Sequence, residues 1–342
     1  MNIYVACVFA IILSFAIAFL LGFVMIPWLR KLKFGQTILE DGPIWHKSKQ
    51  GTPIMGGLMF IVSTIVSVIV VLLTDYFMGG NLFAGESIVP NQLKVKLVAG
   101  VFLALGFGLV GFADDYIKVV KKRNLGLTIT QKTVAQLAII FSYLASLYFN
   151  GLTFMKIPFV GSVDLKWFFW IFGLCVIYGA VNAVNFTDGI DGLCASVTSV
   201  TAIAFCIAAL MVKFTGISVL AAALAGGCLG YLIWNYYPSK VMMGDTGSMF
   251  LGGMVVALAY AIDCPIILVL FGIIYVIEAM SDVLQIGYFK ATHGKRIFKM
   301  APIHHHFEMC GWKERKIVTI FSLVNMLGCA VGLAIYYFGI AK

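Results

Sequence analysis

Long apolar runs alternate with short polar joints from one end of the chain to the other. Ten runs have the length and composition of membrane spans: Ile3 to Leu29, Pro53 to Thr74, Val95 to Ala113, Val134 to Phe149, Trp167 to Val184, Leu193 to Val212, Ser218 to Trp234, Met249 to Ile262, Ile266 to Ile286 and Ile317 to Ile340. About 20 apolar residues carry a helix across hydrocarbon, and only helices or closed barrels satisfy their backbone groups there. The pattern therefore predicts an all-α polytopic membrane protein with ten helices and residues 1–342 in a single transmembrane domain. The eighth run is short and interrupted by Gly252-Gly253. The first lacks a basic leader and runs on to Arg30 as a full span, not a cleavable signal. Asp75–Asn91 and Asn150–Lys166 are joints long enough for a hairpin or a short helix. No internal repeat is visible, which argues against a duplicated transporter fold.

Composition agrees: 61% of the 342 residues are hydrophobic and 11% charged, where a soluble domain has about a quarter charged. The net charge of +9 would suggest nucleic acid if it were patchy on a soluble surface. Instead most of the basic residues fall in alternate joints, around Arg30–Lys49, Lys118–Lys132, Lys240 and Lys290–Lys316. That distribution follows the positive-inside rule; it makes those joints cytoplasmic, turns both termini outward, and removes any call for a nucleic-acid partner. The eight cysteines lie mostly within spans with no C-x-x-C pair, so they read as small packing residues.

Carboxylates in or beside spans are costly and by default raise a functional hypothesis. Most of them sit on the cytoplasmic side, in four clusters. "ADDYIK" puts Asp114 and Asp115 at the end of the third span with Lys118 one turn on; this is a solvated helix end with an i,i+4 pair, or two acids that a cation or phosphate must settle. "NAVNFTDGIDGL" spaces Asn182, Asn185, Asp188 and Asp191 three apart. On a continuous helix Asp191 would point away, but Gly189 and Gly192 suggest a break that brings both aspartates to one cavity. "GDTGS" places Asp245 where a helix N-cap or an anion–metal pair would use it. Glu278, Asp282 and Gln285 share one helical stripe. An earlier joint offers Lys47, Lys49 and Thr52, by themselves ordinary headgroup-facing residues.

Three histidines close the set, His304, His305 and His306 in "APIHHHFEMCGWKE". Adjacent residues cannot all ligate one ion, and the triplet is internal, unlike a tag. Several Asp and Asn with Lys and His on one membrane face suit Mg²⁺-dependent phosphoryl transfer: Mg²⁺ takes carboxylate oxygens together with substrate phosphates, and Lys and His bring charge to phosphate oxygens. No phosphate-binding P-loop, dinucleotide fingerprint or nucleophile elbow is present. An ion-coupled transporter would spread its polar residues through the full depth of the membrane. A CDP-alcohol phosphotransferase would need an Arg that "DGIDGLCAS" lacks.

These four motifs, "ADDYIK", "NAVNFTDGIDGL", "GDTGS" and "APIHHHFEMCGWKE", resemble in order and layout the phospho-N-acetylmuramoyl-pentapeptide-transferases of the polyprenyl-phosphate N-acetylhexosamine-1-phosphate transferase superfamily. The aspartate motifs mark the superfamily and "PIHHHFE" the muramoyl-pentapeptide branch; a sister enzyme using another UDP-sugar is the nearest rival. The resemblance implies transfer of phospho-N-acetylmuramoyl-pentapeptide from UDP to undecaprenyl phosphate, giving lipid I and UMP, in a cleft of cytoplasmic loops and inner helix ends at the bacterial plasma membrane. It also implies Mg²⁺ as cofactor, nucleoside antibiotics as inhibitors and a homodimer. By the family pattern Asp114, Asp115, Asp245 and His304 are catalytic, with Asp245 the metal ligand and Asp115 a second candidate. Lys47, Thr52, Lys118, Lys132, Asn182, Asn185, Asp188, Asp191, Asn235, Gln285 and His305 would bind substrate, and His306 would anchor its loop. Met242-Met243 stand where the family often has an aromatic residue against uracil.

Overall fold

A computed structural model describes residues 1–32, 49, 51–80, 90–120 and 126–342. The apolar runs fold as α1 (Ile3–Lys31), α2 (Gly57–Phe77), α3 (Pro90–Val120), α4 (Ile129–Phe149), α5 (Phe168–Thr187), α6 (Leu193–Met211), α7 (Thr215–Asn235), α8 (Gly244–Ala261), α9 (Leu268–Phe271), α10 (Ile273–Ala291), α11 (Ile303–Met309) and α12 (Glu314–Tyr336). Among the described residues, α1 to α7 and the stretch Glu314–Ala341 are long and apolar enough to cross a membrane. This is an all-α membrane protein.

Two of the ten expected spans depart from simple crossings. The eighth becomes α8, which is absent from that set although every residue from Thr246 to Ala261 is buried. It lies among other helices, so its glycines and hydroxyls face protein and need no lipid-like surface. The ninth is broken: Pro265–Phe271 and Ile273–Ala291 meet at 87°. The carbonyl oxygen of Phe271, freed by the break, accepts from Thr201 Oγ1 at 2.6 Å, Asn325 Nδ2 at 3.3 Å and Cys329 Sγ at 3.4 Å. Polar side chains of neighbouring helices thus replace the lost helical bond.

The joint between α4 and α5 forms an antiparallel hairpin, β1 (Phe154–Ile157) and β2 (Gly161–Asp164), with Phe154 opposite Asp164. It is tied down where Lys156 N–H donates to Asp263 O at 2.6 Å. At the same end Lys96, buried, pairs with Asp263 at 2.5 Å.

At the opposite end α3, α2 and α8 converge. A side chain at Gly111 of α3 would collide with the Asp245 carbonyl, and one at Gly57 of α2 would collide with Gly247 of α8. Backbones approach this closely only where Cβ is missing. The strand-like contacts of Met242 N–H with Pro53 O (2.8 Å) and Gly56 N–H with Met242 O (2.8 Å) dock the start of α2 on the entry to α8.

Candidate active site

Because α3 touches α8 at Gly111, the Asp115 carboxylate reaches the N-terminus of α8. Its Oδ2 accepts from Thr246 N–H at 2.9 Å and Thr246 Oγ1 at 2.7 Å, and its Oδ1 from Asp245 N–H at 3.3 Å. An acid from another helix therefore caps α8, satisfying donors that a helix start leaves open and meeting its positive end. Gly244 enters this turn at φ +70, and a Cβ there would strike the Asp115 carboxylate. Asp114 is used differently. It accepts from Leu127 N–H at 2.8 Å and pairs with Lys118 at 2.5 Å, so it holds the α3–α4 connection.

Asp245 stands between them on the first turn of α8, its side chain 20% exposed while those of Asp114 and Asp115 are buried. Its Oδ2 meets Lys118 Nζ at 3.2 Å and Lys132 Nζ at 2.9 Å. Its Oδ1 accepts from Asn185 Nδ2 at 3.0 Å, and Asn185 also reaches Ser248 Oγ at 2.7 Å. One oxygen from each of Asp114, Asp115 and Asp245 can be chosen so that all three lie within 4.8 Å of one another. Among the described residues, three carboxylates against two lysines leave an excess of negative charge, and the donors are all hard oxygens. The set could hold a divalent cation that prefers oxygen donors, and Asp245 is its most open carboxylate.

The chain between α5 and α6 breaks as its glycines suggest: α5 stops at Thr187, and Gly192 at φ +81 precedes α6. Asp188 lies on the side of the acidic cluster. Burial, then Asp245, Asp115 and Asp191, push its carboxyl up to about 8, with Lys49 opposing. Asp191 faces Lys49 at 2.8 Å and accepts from Ser239 N–H at 2.9 Å. Lys49 continues to Glu314 at 2.8 Å, and Glu314 accepts from Asp191 N–H at 3.0 Å. Burial works against the charge on Lys49, but Asp191 and Glu314 outweigh it and hold its pKa above the ordinary lysine value. Asn235 accepts from Gly192 N–H at 3.1 Å and donates to Val241 O at 2.9 Å, joining this loop to the one before α8.

His304 is fully buried, its Nδ1 2.9 Å from Glu278 Oε2 in α10. Its ring lies so close to Gly189 that a Cβ there would collide with Nε2 and Cε1. His305 Nδ1 meets Glu308 Oε2 at 2.6 Å, and His306 Nδ1 accepts from Lys299 N–H at 3.1 Å. Gln285 Oε1 accepts from Ile297 and Phe298 N–H at 3.1 and 3.0 Å. Thr52 is half-buried beside Lys49, whose carbonyl accepts from Thr52 N–H at 3.1 Å. Asn182 turns back to Tyr178 O of its own helix at 2.8 Å. Lys47 lies outside the described residues.

Contacts thus run unbroken from Asp115 through Asp245, Asn185 and the Asp188–Gly189 turn to His304. The fold adds Glu314, to which the sequence motifs assign no role, and gives Lys49 and Glu278 the specific partners Asp191 and His304. These pairings join positions far apart along the chain, so no local spacing signals them.

The sequence model of glycosyl transferase family 4 matches residues 97–263, which include all three acidic-cluster aspartates. Over nearly its full length the chain is similar to proteins named phospho-N-acetylmuramoyl-pentapeptide-transferase. That of Acetivibrio thermocellus is 44% identical over 95% of this chain and 94% of its own. That of Bacillus subtilis is 43% identical over 96% and 97%, and that of Listeria monocytogenes 41% over 96% and 99%.

Proposed function

The chain belongs to the phospho-N-acetylmuramoyl-pentapeptide-transferase family of glycosyl-1-phosphate transferases, and on that premise we propose that it moves phospho-N-acetylmuramoyl-pentapeptide from its UDP-linked form to undecaprenyl phosphate, giving lipid I and UMP. The observation that carries the reading is the Asp114–Asp115–Asp245 cluster with Lys118 and Lys132 at one end of the helix bundle. A water-borne diphosphate and a lipid headgroup can both reach such a place.

In the preferred route an oxygen of the lipid phosphate attacks the β-phosphorus of the UDP-sugar. A new phosphoanhydride forms as the bond from that phosphorus to the bridging oxygen breaks, and UMP leaves with the electron pair. The nucleophile is already anionic, so the obstacle is bringing two polyanions together. Mg²⁺ held by Asp245, with Asp115 nearby, would neutralise charge on the diphosphate. Lys118 and Lys132 reach the same spot and offer fixed positive charge. Asp114 orients the lipid phosphate or takes its proton. Asn182, Asn185, Asp188, Asp191, Asn235, Gln285, Lys47 and Thr52 line or hold the nucleotide-sugar side, and His304 and His305 serve the diphosphate or sugar.

The chain works as one transmembrane domain in the bacterial plasma membrane, with this site facing the cytoplasm, and pairs as a homodimer; nucleoside antibiotics compete for the nucleotide side. UMP release from UDP-N-acetylmuramoyl-pentapeptide and undecaprenyl phosphate, with and without Mg²⁺, tests the reading. Asp245→Ala should abolish release while the detergent-solubilised protein stays folded, and full activity in that variant overturns the metal assignment. Exchange of labelled UMP into the UDP-sugar without lipid acceptor would replace direct attack by a covalent aspartyl intermediate.

A further inference from the structure

At the end of the bundle remote from the acidic cluster, α3 and α4 splay apart around a cavity of about 710 Å³. Leu103 and Tyr143, both buried, form its floor, and Phe102, 68% exposed, stands at its rim. The two helices meet again at each end of the slot. A Cβ at Gly106 would lie 3.2 Å from Ile139, and Gln92 Nε2 donates to Asn150 O at 3.3 Å. The wall is less polar than its sequence implies. Ser142 and Ser146 donate to carbonyls of their own helix at 2.8 and 2.7 Å, so neither hydroxyl needs water.

Position along α3 gives the depth. Lys94 and Asp114 are 20 residues apart, about 30 Å of helix, which is the thickness of the hydrocarbon core. From Lys94 to Gly106 is about 18 Å, so the slot covers one leaflet and stops near mid-membrane. A space of this size at that depth fills with what surrounds it, and an apolar wall selects hydrocarbon over water. Two lysines stand at the interfacial end. Lys96 is buried, paired with Asp263 and set 5.2 Å from the Phe214 ring centre. Lys94 lines the slot, is exposed, and has no carboxylate partner among the described residues.

We propose that this slot is a binding site for one acyl chain of an anionic glycerophospholipid of the leaflet remote from the acidic cluster, with Lys94 on its phosphate. A polyprenyl substrate engaged at the acidic cluster keeps its phosphate about 30 Å along α3 from Lys94, so it could send only its tail here and leaves this lysine without a phosphate. A helix of a second copy is disfavoured because α3 and α4 close the slot above and below.

Native mass spectrometry of the purified protein in mild detergent tests this, with anionic and zwitterionic glycerophospholipids of identical chains. One lipid should survive activation that strips the rest, with the anionic headgroup favoured about fivefold, the attraction of one lysine at a membrane surface. Lys94→Ala, at an exposed position, should bring the two headgroups level. Ala99→Phe or Ser142→Phe, filling the slot, should remove the retained lipid of either kind. An unchanged headgroup preference in Lys94→Ala refutes the headgroup site. Full retention in filled variants that keep the wild-type unfolding temperature refutes the slot. Loss of dimer without loss of lipid would give the slot to a second copy. UMP release by these variants should stay at the wild-type level, so a negative result here leaves the transferase reading intact.

Discussion

Gly189→Ala adds a single methyl group where the structure has no room for it. The backbone of Gly189 lies outside the left-handed region, so alanine meets no conformational penalty there. The whole effect is steric, because the new Cβ would run into His304 Nε2 and Cε1. His304 cannot swing away freely: it is fully buried and held 2.9 Å from Glu278, itself fully buried. Overpacking a tight site costs about 1–3 kcal/mol. Giving up the buried His304–Glu278 hydrogen bond instead leaves buried polar atoms without a partner, which costs about as much, 1–3 kcal/mol. If the ring must keep its place for turnover, that energy appears as a fall in kcat/KM of about 10- to 100-fold. UMP release and detergent-phase thermal unfolding should be measured for Gly189→Ala, His304→Ala and the double variant. In the His304→Ala background the obstructing ring is gone, so Gly189→Ala should then cost under about 0.5 kcal/mol, the range of independent surface changes. An equal cost in both backgrounds, or full activity and stability in the single variant, would refute the contact.

Three other outcomes follow from named contacts. Asp115→Ala strands two buried donors of Thr246 and should lower stability by about 2–4 kcal/mol, whereas Asp115→Asn, which keeps an acceptor, should lose activity with less loss of stability in thermal unfolding. Asp188 carries the proton to about 8 in the folded protein against 3.8 ordinarily; the folded state then holds a proton that the unfolded chain has released, so in EDTA stability should fall as pH rises from about 4 to 8. Asp188→Asn should flatten that slope, and added Mg²⁺ should reduce it by favouring the ionised acid; a slope unchanged by the substitution rejects the assignment. Asn325→Leu at the break before α10 should cost about 0.6–1.7 kcal/mol in unfolding with KM for the UDP-sugar unaltered, since it touches Phe271 O and Thr201 and nothing in the acidic cluster.

Local order along the chain determined the helices, because each apolar run must satisfy its own backbone in hydrocarbon and so carries its fold within itself. It also determined the break in "TDGIDGL", since Gly192 takes a left-handed φ, and the crowding of acids at one end of the spans. It missed the sharp bend at Gly272, where the apolar run continues without interruption and the freed Phe271 carbonyl is satisfied by Thr201, Asn325 and Cys329 from elsewhere in the chain. It placed α8 among the spans, but only packing shows why a helix with Gly-Asp-Thr-Gly-Ser at its head is stable there: protein, not lipid, surrounds it. Above all, tertiary structure decided which acid does what. Asp114 and Asp115 are neighbours of identical chemistry, yet one holds a loop and the other caps a helix 130 residues away. Only the approach of α8 over Gly111 separates them, and no spacing within "ADDYIK" encodes that approach.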